Sequence, residues 1–444
     1  MTQEDNRPGW VGTKGPRFVE RAAHRQWLFN QANSLIGFFQ QKAFNPAGGF
    51  FPLDDIGRPL PGKPGLSGVE RQLHETTRMV HCFSVAHLLG LPGAERNIDH
   101  GMEFLWQRHR DNKNGGYFWG VDDDGPTNPG KQAYGHAFVL LAASSAKVAG
   151  HPDADRLIAD ISEILQTRFW EPEFGATSEE YGADWQQISD YRGQNSNMHL
   201  TESLMAAFEA TGEQNYLAMA QSIAELIIKR HAREQNWRVA EHFNSKWQID
   251  KNYAGDPMFR PRGTTPGHAL EWSRLLVQLF QLGERRHDWM KRAAKELFLK
   301  TINIGWSAKN GGFYYTLDWD DRPDQSERFW WPCAEGVGAA AVLSSIDQDP
   351  IFEEWYRRIW GFVANHFIDN NNGAWFPELN DKMEPVNRVF VGKPDLYHSV
   401  QACLIPLLPA NGSITRGLQN SGAVSLLQTP SVTLGLDPRV HKSP

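Results

Sequence analysis

The chain has 444 residues, a formal net charge of −7 and a pI near 6.2. It carries no basic patch and no apolar run near the ~18 residues of a membrane span, which argues against a nucleic-acid partner and a membrane protein. Residues 1–12 are polar and do not read as a signal peptide. The three cysteines, Cys82, Cys333 and Cys403, are odd in number and far apart, which fits a reducing cytoplasm without a disulfide framework.

After a polar extension over residues 1–17, one pattern recurs six times: an amphipathic helix, an aromatic-glycine segment, then a more apolar helix that carries a histidine or glutamate near its start. The first unit reads as a helix over 18–44, the segment Gly48-Gly49-Phe50-Phe51, and a helix over 71–89 with His81. The second reads as 94–110, the segment from Gly115 to Trp119, and 133–148 with His136. The third is 154–170, Phe174-Gly175-Ala176, and 197–211 with His199. The fourth is 216–233, a degenerate segment over 237–247, and 265–282 with His268. The fifth is 288–306, the segment from Gly311 to Tyr315, and 333–346 with Glu335. The sixth is 351–367, Gly373-Ala374-Trp375-Phe376, and 396–408 with His398. Gly90, Gly150, Gly212 and Gly283 end four of the apolar helices, and Pro92, Pro152 and Pro350 mark the next starts. Residues 410–444 lack periodicity and read as a flexible C-terminal tail.

A period of roughly 60–70 residues holds two helices and a loop, so the pattern predicts one large repeat domain over 18–409. The apolar helices form an inner layer and the charged ones cover it. If the six pairs close into a ring, their six starts converge on one polar pocket; an open solenoid would use the same pattern.

Two inner helices open on the same spacing, His199-x-x-Glu202 and His268-x-x-Glu271. Residues three apart share a helix face, so each histidine is expected beside its own glutamate. Ring closure places His268 and His398 on two sides of the pocket, where two imidazoles suit proton transfer next to a carbonyl. Arg78, Arg192, Arg260 and Arg262 are expected around the rim, to hold hydroxyls or a developing oxyanion. Trp330, Trp331 and Tyr134 are candidate sugar-stacking walls, or equally core residues. No His-Glu-x-x-His or Cys-x-x-Cys motif is present, so no metal site is expected, and Gly336-x-Gly338 lies inside an apolar helix rather than after a strand.

Three segments carry a resemblance: Tyr-Arg-Gly-Gln-Asn-Ser-Asn-Met-His-Leu-Thr-Glu over 191–202, Phe-Arg-Pro-Arg-Gly-Thr-Thr-Pro-Gly-His-Ala-Leu-Glu-Trp over 259–272, and Asp-Leu-Tyr-His over 395–398. In these the chain resembles the N-acylglucosamine 2-epimerase superfamily. The likeness is greatest to its aldose–ketose isomerase branch, with the bacterial mannose and sulfoquinovose isomerases. The resemblance implies an all-α fold, an (α/α)6 barrel with short β-hairpin loops on one face. It implies cofactor-free and metal-free proton transfer between C1 and C2 of an open-chain monosaccharide, with D-mannose and D-fructose as the expected pair. Carried over by motif, His268 and His398 are the expected acid/base pair. Arg78, Tyr134, Asn195, His199, Arg260 and Glu271 are expected to bind or orient substrate, with Trp331 as a wall. Pro394 departs from the family pattern and leaves the choice of sugar open. A sugar 2-epimerase shares the same enediol chemistry. An inverting glycoside hydrolase would need two carboxylates across the pocket, drawn from Glu202, Glu271 and Glu335, and a non-catalytic sugar-binding barrel would need no opposed histidines. The oligomeric state, including a homo-oligomer, is not set by the sequence.

Overall fold

A computed structural model of the chain describes residues 15–427. Six apolar helices form the inner layer: α2 (Leu73–Leu88), α4 (Ala133–Ala149), α6 (Gln194–Thr211), α8 (Pro266–Leu282), α10 (Trp330–Ile346) and α12 (Leu396–Leu404). They are buried on nearly every side, which is why their sequences are apolar all round rather than striped. Six polar-faced helices cover them: α1 (Ala22–Lys42), α3 (Ala94–Phe104), α5 (Ala154–Ile164), α7 (Gln214–Ala224), α9 (Asp288–Ile304) and α11 (Pro350–His366). Three of these, α3, α5 and α7, run on into a π-helical turn.

Each inner helix packs on the next, and α12 packs back on α2, so the ring is closed. Outer helices α3, α5, α7, α9 and α11 cover the inner helix just before them, and α1 covers α12. This is the (α/α)6 barrel expected from the repeat and the resemblance.

The hairpin face explains how successive units stay in register. The chain entering each inner helix is hydrogen-bonded to a carbonyl of the following unit's hairpin. The donors and acceptors are Leu73 to Trp119, Ala133 to Glu179, Gln194 to Glu241, Thr264 to Leu317, Trp330 to Pro377 and, across the closure, Lys393 to Leu53 at 2.9 Å. Gly392 lies beside that last link with φ 77°, and a Cβ there would stand 1.9 Å from the Leu53 carbonyl oxygen, so only glycine fits.

A buried cation precedes the inner helix in five units: Arg71, Lys131, Arg192, Arg328 and Lys393. Lys131 binds Asp111 at 2.9 Å and Lys393 binds Asp369 at 2.7 Å, in both cases with the side chains almost wholly buried. Asp111 and Asp369 also cap their turns by accepting backbone N–H bonds from the residues two and three further on. The aromatic-glycine turns are thus tied electrostatically to the helices they precede.

Two boundaries differ instructively from expectation. Helix α10 starts at Trp330, three residues earlier than its pattern implied, because Pro332 falls in the first turn, where no N–H partner is needed. Gly283 ends α8 with φ −77°, and the left-handed turn falls on Glu284 and Arg285 instead.

The tail departs more. Residues 412–427 are ordered against the barrel: α13 (Ile414–Ser425) packs on α2, α4 and α6 with Leu418 and Leu426 buried. Gln278 donates to the Gly412 carbonyl at 2.8 Å, and Glu209 accepts from the Ser413 N–H at 2.7 Å. The segment covers the end of the barrel opposite the hairpins. Its apolar residues are too few to show a period, which is why composition alone read it as loose. The rest of the expected tail, and residues 1–14 of the N-terminal extension, lie outside the described residues.

Removing one partner of a buried pair strands the other charge. Lys393→Met is therefore expected to destabilise the protein by about 3–5 kcal/mol. Lys229→Met, which breaks the exposed pair with Glu225, should change stability by less than about 0.5 kcal/mol. Urea unfolding followed by circular dichroism checks both; equal midpoints would refute the closure's energetic importance.

Candidate active site

The inner-helix starts converge, on the hairpin face, at a cavity of about 560 Å³. Arg78, Tyr134, Asn195, His199, His268, Glu271, Trp331 and His398 all line it. Eight of the nine residues carried over from the resemblance are therefore brought together, and Trp330 lines the cavity with them.

Trp331 stands between the two expected acid/base histidines. Its ring lies 5.0 Å from that of His268 and 5.7 Å from that of His398, centroid to centroid, tilted by 36° in both cases. Gly267 permits this: a Cβ there would lie 2.2 Å from the Trp331 ring. Each histidine is held from behind by a buried carboxylate. His268 Nδ1 lies 2.8 Å from Glu241 Oε2, and His398 Nδ1 lies 2.8 Å from Glu335 Oε1. An N–H on Nδ1 donated to a carboxylate fixes ring and tautomer and leaves Nε2 for a ligand.

The His-x-x-Glu spacing does not pair as expected. His268 is held by Glu241, not Glu271, and His199 Nδ1 makes its ion pair with Glu271 at 3.6 Å, although Glu202 also comes within 4.8 Å of the ring. The three-residue rule describes an isolated helix surface, whereas here the nearest acids come from neighbouring elements. Arg274 gathers the glutamates instead, at 3.1 Å from Glu202, 3.4 Å from Glu271 and 2.9 Å from Glu335.

The electrostatics follow from that cluster. Burial opposes ionisation of Glu335, but Arg274 and His398 outweigh it and hold the carboxyl down at about 2. Burial, and the charge of Glu335, push Glu271 well above the usual carboxylate range, although Arg274 opposes this. Burial, then the cations around it, hold His199 well below the usual imidazole range. Burial lowers His398, and Glu335 opposes that. The floor thus favours the anion at Glu335 and disfavours charge on Glu271 and on the His199 ring.

Arg78 forms the far wall. It binds Asp395 at 2.9 Å and the Tyr134 hydroxyl at 2.8 Å, over the rings of Phe138 and Tyr397. Asn195 Oδ1, His199 Nδ1, Glu271 Oε2 and Arg78 Nε are buried without a hydrogen-bond partner. Buried polar atoms are rarely left so. A polyhydroxylated ligand, whose hydroxyls both donate and accept, would satisfy them.

The other arginines are elsewhere. Arg192 is bound to Glu171 at 2.5 Å, Arg262 to Asp324, and Arg260 to Glu180 at 2.8 Å while lying over the Tyr191 ring. Arg260, expected to touch substrate, does not line the cavity; its loop contributes Asp256, Met258 and Phe259. Acidic partners in the adjoining hairpins take up these guanidinium groups. His81 and His136 also miss the pocket. His81 lies almost a turn below Arg78 and meets Ser145 at 2.7 Å. His136, two residues past Tyr134, faces the hairpin and accepts from the Tyr117 N–H.

Two groupings have metal-ligand spacing, His199 with Glu202 and Glu271, and Glu271 with Glu335 and His398; their donor atoms lie within 4.8 Å of one another. The Arg274 guanidinium touches every glutamate in both, so the positive charge these carboxylates need is already supplied by the chain. The donor set therefore fits an arginine-centred cluster better than a cation site.

Residues missed from sequence are Glu241 and Arg274. Glu241 falls in the degenerate fourth segment. Its signal was Glu179, one unit earlier, which holds Gly193 N–H and the Ser196 hydroxyl at the start of α6 just as Glu241 holds Thr265 N–H and His268 at the start of α8.

The chain is similar to known proteins over most of its length. A D-mannose isomerase from Pseudomonas cannabina pv. alisalensis is 42% identical over 410 residues, 90% of this chain and 97% of the relative. One from Thermobifida fusca is 41% identical over 91% of this chain and 99% of its own length. A crystal structure of D-mannose isomerase superposes with a TM-score of 0.81 at 32% identity, covering 89% of this chain and 99% of the other. Residues 48–402 match the model of the N-acylglucosamine 2-epimerase (GlcNAc 2-epimerase) family. A match from the first hairpin to the last inner helix, with full-length relatives at this identity, makes the chain a member of the N-acylglucosamine 2-epimerase family.

Proposed function

We propose that this protein is an aldose–ketose isomerase that interconverts D-mannose and D-fructose. The observation that carries the reading is the pair of histidines in one cavity, each with Nδ1 on a buried glutamate, on either side of Trp331. The relatives named D-mannose isomerase support the choice of sugar pair.

In this reading the open-chain aldose lies across Trp331. His398 Nε2 takes the proton from C2, and the imidazolium that forms is stabilised by the Glu335 carboxylate behind it. The electrons left at C2 form the C1–C2 double bond of a cis-enediol as O1 gains a proton. His268 serves the oxygens: it assists ring opening and carries a proton from O2 to O1. His398 then returns its proton to C1, and the ketose is complete. Arg78, His199, Asn195 and Glu271 hold the hydroxyls, and the Arg78 cation stabilises the developing oxygen charge.

Incubation with D-mannose should give D-fructose, read by proton NMR. Glucose alone as product would make the protein a 2-epimerase, and no reaction would remove the enzymatic reading. His268→Ala and His398→Ala should each lower kcat by about 10²- to 10⁴-fold, the usual contribution of a general acid or base. A folded variant keeping more than about a tenth of the wild-type rate would exclude that residue as a proton-transfer group. Activity should also survive exhaustive treatment with EDTA. Loss that is restored by Mn²⁺, Co²⁺ or Zn²⁺ would instead assign the glutamates around Arg274 as ligands.

A further inference from the structure

Arg274 lies on α8, six residues and about 9 Å along the helix from His268, and it does not line the cavity. It is almost completely buried. Its three nitrogens reach carboxylates on three inner helices, and each carboxylate leads back to the site. Nε binds Glu335 of α10 at 2.9 Å, and Glu335 holds His398. Nη2 lies 3.4 Å from Glu271 of α8, which lines the cavity beside His199. Nη1 binds Glu202 of α6 at 3.1 Å, and Glu202 accepts the Tyr397 hydroxyl. The Tyr397 ring packs edge-on against His398, with centroids 4.7 Å apart. On the side away from the cavity, Nη1 also donates to Gln278 at 3.2 Å, and Gln278 donates to the Gly412 carbonyl of the segment leading into α13.

Three acids this close disfavour one another's ionisation, and among the described residues no other cation touches all three. A planar guanidinium can hold several acids in fixed directions, whereas an ammonium on a flexible stem supplies the charge without the fork.

We propose that Arg274 is a positioning residue. It touches no substrate, but sets the placement of His398, Glu271 and Tyr397 from beneath, with Gln278 and the 412–414 segment as its support. The proposal rests on the isomerase reading for its kinetic readout. It makes the C-terminal segment part of the working site rather than an appendage.

Arg274→Lys separates charge from geometry. Its kcat with D-mannose is expected to fall about tenfold or more while KM stays within about threefold, because the loss is in orientation rather than in sugar binding. Gln278→Met keeps the buried volume and Arg274 but removes the bond accepted from Arg274 and the one donated to the Gly412 carbonyl. It should lower kcat about two- to fivefold with KM unchanged. In the resting protein, ¹⁵N spectra of the histidine rings, with His398→Asn to assign the signal, should show one Nδ1–H tautomer for His398 in the wild type and a mixture in Arg274→Lys.

Wild-type kcat and a single His398 tautomer in Arg274→Lys would overturn the proposal, as would a loss confined to KM. If Arg274→Lys does not fold, wild-type kcat in Gln278→Met overturns it. If the wild type turns over no mannose, the isomerase reading fails, and the His398 tautomer in the two variants still decides the role of Arg274.

Discussion

Everything in the site depends on the ring being closed, and one backbone hydrogen bond marks the closure: Lys393 N–H to the Leu53 carbonyl. It joins the last unit to the first in the same way that the other five units are joined. The Lys393 side chain reinforces it by burying its charge on Asp369. Closure sets α12 beside α2. Arg78, from the first inner helix, then meets Asp395, 317 residues later, next to His398. An open array of the same helix pairs would leave that wall of the cavity missing.

A closed ring also forces polar groups inward, where they are costly unless paired. The molecule meets this with layers. At the rim, helix starts are capped by hairpin carbonyls and by Glu179 and Glu241. At the floor, Arg274 neutralises three glutamates drawn from three helices. Below it, Gln278 and Gly412 close the far end. Among the buried side-chain atoms left without a hydrogen-bond partner, those on Asn195, His199, Glu271 and Arg78 lie on residues lining the cavity, while others, as on Arg71, Thr265, Ser399 and Gln401, lie outside it. Those four on the cavity wall are ones that a ligand with many hydroxyls can reach.

The repeat made the architecture legible in the sequence. Periodic glycines, helix-ending residues and alternation between polar and apolar helices are local signals, and the helices stand within a few residues of where those signals place them. The resemblance in 191–202, 259–272 and 395–398 brought His268 and His398 to one cavity with six of their expected neighbours. The pairing of acids with bases was not legible. His268 takes Glu241 from a hairpin 27 residues earlier, and Arg274 binds across helices whose angular positions no spacing rule conveys. Arg260 belongs to a conspicuous motif, yet Glu180, 80 residues away, withdraws it from the cavity. Residues 412–427 were misread because a short plug needs only a few apolar contacts, and those give no period.

The central claim is that a histidine carries the migrating hydrogen as a proton. Conversion of D-mannose in D₂O, quenched at low conversion and read by mass spectrometry, tests this most directly. A proton parked on an imidazole exchanges with solvent before it is returned, so the fructose should carry deuterium at C1. Fructose fully protiated at C1, formed by a His398→Ala variant that still turns over, would contradict the account and point to direct hydride transfer from C2.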